Sequence, residues 1–160
     1  MSVASTSTRT LAINPAFLEE IKESNRELWQ THEQLRQVFQ VTDSDDQVMR
    51  QLVQTLDTFR DQLATQFQLE ESFGYQPVDH QSSSQRQFLD FELVDQVCRQ
   101  HCALYLRITD LAERAEEMQY RGVEPDHLSE LIVLSQQFEQ EFCEHERLEN
   151  QLIARAYRLK

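Results

Sequence analysis

Leu131–Leu152 reads LIVLSQQFEQEFCEHERLENQL. Within it Leu131, Leu134, Phe138, Glu141, His145, Leu148 and Leu152 advance by alternate steps of three and four, the spacing that sets side chains along one helical face. Glu141 and His145 interrupt that apolar row with a carboxylate and an imidazole. A buried ionisable group needs a partner, and these two, one helical turn apart, can bond each other or share a metal ion. A satisfied core pair is the plainer reading. The weight shifts because the other long helices repeat the pattern.

Composition sets the frame. A chain of 160 residues supports one domain with one substantial core. With Gly 2 and Pro 3, it has little material for hairpins, and the abundance of Gln, Glu, Leu and Arg predicts an all-α fold. A formal charge of -13 argues against nucleic acid and anionic membranes as partners. The first residues, MSVASTSTRTL, lack a signal peptide's apolar core, and no apolar run approaches the ~18 residues of a membrane span. A cytoplasmic location is expected. Cys98, Cys102 and Cys143 form no CxxC pair and read as free, packed thiols, with Cys98 a minor ligand candidate because it precedes His101 by three.

Residues 1–13 are expected to be a loose arm or a strap, and 14–160 a single bundle. Asn14-Pro15 reads as the N-cap and first position of a helix running to about Gln40, with a row of Phe17, Ile21, Leu28, Leu35 and Phe39 weakened at Ser24/Asn25. His32 lies on its packed side. The segment VTDSDD, 41–46, supplies N-caps for a second helix whose seam is Leu52, Leu56, Phe59, Leu63, Gln66 and Glu70. Gly74 is expected to end that helix with a positive φ, and 75–84 to be a polar loop carrying an inert His80. A third helix from about Ser84 carries Val94, His101, Ile108 and Ala115, and Gly122 and Pro125 mark the turn into the fourth. His127 is expected on the surface.

Four long amphipathic helices with short or moderate loops predict an antiparallel up-down-up-down four-helix bundle. In such a bundle, residues at one level on neighbouring helices are equally far from the turn between them. His101 and Glu141 have a mean number of 121, at the Arg121-Gly122 turn, so the two are expected to face each other. The inward polar set is then His32, Gln66, Glu70, His101, Glu141 and His145. So many polar groups in one core must neutralise each other or bind something, and imidazole with carboxylate suits iron, manganese or zinc.

The chain from about residue 15 to 156 resembles the hemerythrin-like, or HHE cation-binding, domains. His32 is similar to the family's first-helix histidine, Gln66-Phe67-x-x-Glu70-Glu71 to its HFxxEE, His101 to the second histidine of its third helix, and Glu141-Phe142-x-x-His145-Glu146 to its fourth-helix motif. Gln66 and Val97 stand where that family has histidines, and Glu141 and His145 look exchanged. The resemblance implies a non-haem centre, two iron ions with manganese or zinc as options, that binds, senses or reacts with dioxygen or peroxide. Tyr105 is placed to donate to a bound oxygen species. A metal-free bundle serving as an interaction or signalling module is the other implied outcome, and association as a homodimer is left open.

Overall fold

A computed structural model describes residues 10–41, 44–78 and 91–158. The elements are β1 (Thr10–Ile13), α1 (Pro15–Ser24), α2 (Arg26–Val38), α3 (Asp45–Leu69), a π-helical turn (Glu70–Gly74), β2 (Tyr75–Val78), α4 (Phe91–Arg121) and α5 (Pro125–Arg158). His80 and the expected start of the third helix lie outside the described residues.

Among the described residues the architecture is a helix bundle with five α-helices, because the expected first helix is two. Asn25 divides it: its Oδ1 accepts from the Leu28 backbone N–H at 3.4 Å, starting α2, while its Nδ2 donates to Gln66 Oε1 at 2.8 Å. The break re-phases the leg. Leu18, not Phe17, is buried in α1, and Leu28, Thr31, Leu35 and Val38 form the buried row of α2. Other termini follow the expected chemistry. Asn14 Oδ1 accepts from Phe17 N, Ser44 caps α3, and Gly122, at φ +110°, ends α4 with its N–H on Met118 O.

Contacts run in opposite senses along successive legs. His32 meets Phe59 and Asn25 meets Gln66 across α2 and α3; His101 meets Glu70 near one end of α4; Arg107 meets Glu141 while His101 meets His145 across α4 and α5. Direction therefore alternates from leg to leg.

One addition departs from the all-α expectation. β1 pairs antiparallel with β2, Ile13 opposite Tyr75, so residues expected in an arm and in a polar loop make a two-stranded ribbon. The ribbon starts where Gly74 passes against α1. A Cβ on Gly74 would lie 2.1 Å from Leu18 Cδ2, so this glycine serves close approach and not the positive φ expected of it.

Two apolar clusters fill the interior. The larger, including Leu28, Leu56, Phe59, Leu63, Ile108, Phe138 and Phe142, occupies most of the bundle; the smaller gathers Leu18, Tyr75, Val94, Val97 and Leu152 near the ribbon. Between them along α4 and α5 come His101, His145 and Glu149, all buried. Polar side chains thus form a layer across the core.

Candidate metal centre

Each leg contributes to that layer. α1 sends in Lys22, the end of α3 sends Glu70, α4 sends His101, and α5 sends His145, Glu146 and Glu149 at turn spacing. The π-helical turn beginning at Glu70 widens the backbone where the chain leaves α3, and it brings Glu71 toward His101 and Tyr75 toward Glu149.

Glu149 is the hub. Its Oε1 lies 2.6 Å from Lys22 Nζ, and its Oε2 accepts from the Tyr75 hydroxyl at 2.8 Å and stands 3.4 Å from His101 Nε2. Lys22 also bonds Glu146 and reaches Glu70 Oε2 at 3.7 Å. His101 Nε2 is 3.6 Å from Glu70 Oε1, and its Nδ1 is 3.8 Å from Glu71 Oε2. His145 Nδ1 pairs with Gln100 Oε1 at 2.8 Å, and since an amide oxygen only accepts, Nδ1 carries the hydrogen. That leaves Nε2 of His145 as a bare lone pair, buried and without a hydrogen-bond partner.

The electrostatics follow from burial and these neighbours. Burial, helped by the nearby His101 and Lys22 charges, lowers His145 to about 4, so its ring is neutral at pH 7. His101 moves the other way: burial disfavours its cation, but Glu149 and Glu71 outweigh burial and raise its pKa. Burial also disfavours the charged Glu149, and His101, Glu70 and Lys22 overcome it and hold the carboxyl well below its ordinary value. Burial and the Glu149 charge push Glu70 well above its ordinary value. Lys22 stays charged because Glu149, Glu146 and Glu70 outweigh its burial.

One observation separates this layer from an ordinary ionic network. Both oxygens of Glu70, both ring nitrogens of His101, Nε2 of His145 and one oxygen of Glu146 are buried without a hydrogen-bond partner. Natural cores rarely orphan so many polar atoms in one place. The spacings that fail as hydrogen bonds suit shared ligation, because donors about 2.1 Å from a tetrahedral ion lie about 3.4 Å apart. His101, His145 and Glu149 each offer a ligand atom, all within 4.8 Å of one another. A surface cavity of about 410 Å³ lined by Phe67, Glu71, Cys98 and Tyr105 reaches His101.

Of the six residues expected in one site, Glu70, His101 and His145 come together here. Gln66 is buried beside the layer, but its oxygen is held by Asn25 and its amide nitrogen has no partner. His32 belongs to another group, 2.9 Å from Glu139 Oε1 and 3.5 Å from Cys143 Sγ. Glu141 does not face His101: it is 43% exposed and pairs with Arg107 on the surface. Its displacement is one of phase, for α5 buries Leu131, Ser135, Phe138, Phe142, His145, Glu149 and Leu152, a row with the same period as the expected one and sharing every seventh residue with it. His145, whose mean number with His101 is 123, is the true partner across the Gly122 turn; the rings lie 4.8 Å apart.

Lys22, Tyr75, Glu146 and Glu149 were not anticipated in the layer, Glu146 because it lies off the expected row. Glu149 was legible through Phe142: had that residue been taken into the row in place of Glu141, the next positions are His145 and Glu149. Lys22 also left a trace, since Lys160 is the only other lysine in a chain whose remaining cations are arginines. Tyr75 left none, because its approach depends on the ribbon.

No family model matches the chain, and no curated protein or solved structure matches it either. What stands is a helical domain with, among the described residues, two separate groups of ligand-bearing side chains, His101/His145/Glu149 and His32/Glu139/Cys143, each able to chelate an ion.

Proposed function

We propose that this chain is a hemerythrin-like non-haem metal protein whose deep centre holds a single transition-metal ion on His101, His145 and Glu149, with Glu70 beside them. The observation that carries it is that His101, His145 and Glu149 each offer a buried ligand atom within 4.8 Å of the others, with Nε2 of His145 left bare. Two imidazoles and one carboxylate, with positions left open, are a donor set that suits ferrous iron; manganese and zinc are compatible with it. When bound, iron supplies an open position at which dioxygen or peroxide is bound, sensed or reduced. The protein's part is to fix the ligands. Gln100 sets the tautomer of His145, Tyr75 orients Glu149, and Glu70 flanks His101.

Lys22 decides the nuclearity in this reading. Its ammonium already lies among Glu70, Glu146 and Glu149, where a second ion of a dinuclear centre would need carboxylates. One metal ion and one ammonium replace the two ions that the family resemblance implies. The same lysine favours a second reading, a metal-free interaction or signalling bundle, because it neutralises part of the layer by itself. A cytoplasmic home, no nucleic-acid or membrane partner, and a homodimer left open go with either reading. Among the described residues no helix is long and apolar enough to cross a membrane.

Metal analysis after anaerobic expression with iron tests the choice. The wild type and a Cys143→Ser variant should retain iron at about one ion per chain, and His101→Ala and His145→Ala should not. Iron contents indistinguishable among all four would overturn the metal reading in favour of the metal-free one.

A further inference from the structure

His32 on α2 and Glu139 and Cys143 on α5 lie apart from the deep centre, and their donor atoms converge on one point. Glu139 Oε1 is 2.9 Å from His32 Nε2, Cys143 Sγ is 3.5 Å from the same nitrogen, and Sγ to Oε1 is 3.4 Å. Zinc bound by nitrogen and oxygen at about 2.0–2.2 Å and by sulfur at about 2.3 Å holds such atoms roughly 3.3–3.6 Å apart in a tetrahedron. The two sides that meet Cys143 match that face, and the third, the 2.9 Å hydrogen bond from His32 to Glu139, has to open by roughly 0.4 Å as an ion enters. A relay that activates a cysteine is a different figure: the base takes the thiol proton on one ring nitrogen while the acid holds the other. Here the thiol and the carboxylate both face Nε2 of His32, which suits convergence on an ion and not transfer through the ring.

We propose that His32, Glu139 and Cys143 form a second, independent metal site for zinc or another thiolate-seeking divalent cation, with a solvent molecule as the fourth ligand. Turn spacing on α5 sets Glu139 and Cys143 side by side. Trp29, Phe59 and Phe142 fix the His32 ring at centroid distances of 5.8, 6.2 and 5.7 Å. A surface groove of about 500 Å³ beside Cys143 and Trp29 gives the ion and its water a way in. Arg36, whose Nε is 3.8 Å from Glu139 Oε1, is 57% exposed and free to swing outward as a cation arrives. Without metal the thiol is protonated, burial and the Glu139 charge having pushed it up to about 11. On binding, the S–H bond breaks as the sulfur–metal bond forms, the proton leaves to solvent, and no electron is transferred.

Cobalt(II) titration of the full-length, metal-stripped protein under a non-thiol reductant tests this. A near-ultraviolet sulfur-to-cobalt charge-transfer band should appear, and zinc should abolish it. Cobalt should also quench the fluorescence of Trp29, the chain's single tryptophan. The band should persist in His145→Ala and Cys98→Ser and vanish in Cys143→Ser and His32→Gln. Absence of the band in the wild type, its survival in Cys143→Ser, or its loss in Cys98→Ser would each overturn the assignment. Because His145→Ala removes the deep centre alone, failure of that centre and failure of this site are distinguishable.

Discussion

Replacing Lys22 by methionine removes the ammonium from among Glu70, Glu146 and Glu149 while keeping an unbranched chain of similar reach. In the wild type this ammonium is 2.6 Å from Glu149 and 3.7 Å from Glu70, and its side chain is only 11% exposed. In Lys22→Met the layer is short of one positive charge and must recover neutrality by taking up a proton. Neutralising a carboxyl of ordinary pKa 4.5 at pH 7 costs about 3.4 kcal/mol. That figure matches the roughly 3–5 kcal/mol typical of removing one partner from a buried ion pair. For a domain of this size, a loss of about 3 kcal/mol lowers Tm by roughly 6–12 °C. The folded variant holds one proton more than its unfolded chain at pH values above about 4.5, so its deficit grows with pH at about 1.4 kcal/mol per unit and nearly closes by pH 5. Urea melts of both proteins in chelator at pH 5 and pH 7, followed by circular dichroism, measure it. A deficit that is absent at pH 7, or equal at the two pH values, would refute the placement of Lys22 as the charge balance. In metal-loaded samples the vacated carboxylates should accept an additional ion, raising the metal content of Lys22→Met by about one per chain over wild type.

Acid should act on His145 in the opposite sense. Its pKa is lowered from 6.5 to about 4, so the folded chain binds fewer protons there than the unfolded chain, and stability is lost as pH falls through that window. The loss amounts to about 3 kcal/mol by pH 4 in metal-free wild type relative to His145→Gln, read by urea melts of both. Glu141→Gln should change stability by less than about 0.5 kcal/mol and leave metal content unchanged. Glu149→Gln should lower both, and the reverse ranking in the same assays would restore the other helical phase. Gly74→Ala should destabilise by about 1–3 kcal/mol through its collision with Leu18, and the double variant with Leu18→Ala should lose less than the sum of the two single losses; thermal melts of the three variants decide.

The seam of α3 and the row of α4 were legible from residue spacing because the inward positions short of the layer are mostly apolar: Leu52, Leu56, Phe59 and Leu63 are all fully buried, and Thr55 is buried with its hydroxyl on Gln51 O. On α5 two rows of equal period compete. Preferring Leu134 and Leu148 to Ser135 and Glu149 selects the wrong one, since those leucines only flank the core. Ser135 is cheap to bury because its hydroxyl donates to Leu131 O at 2.8 Å, one turn back along its own helix. Glu149 is buried because Lys22 and Tyr75 meet it, and both lie more than seventy residues away in the chain, so within α5 it is marked only by the row that runs through Phe142 in place of Glu141. The same holds for the ribbon. Its strands lie far apart in sequence, and neither the Ser/Thr-rich arm nor the proline-bearing loop alternates strongly enough to signal a strand.

The polar layer also sets the alignment of the helices. On α5 the positions Leu131, Phe138, His145 and Leu152 recur every seventh residue, and a slide of α5 by two turns against its neighbours would exchange one bulky side chain for another along most of its length. At one level that exchange fails. Sliding α5 would set Phe142 or Ala156 in the place of Glu149 beside the ammonium of Lys22 and strand Glu149 in an apolar stretch without Lys22 or Tyr75, at several kcal/mol for an unpaired buried charge. The layer therefore works as a key, like a buried polar residue in a coiled coil: it gives up some packing energy and leaves the bundle a single register.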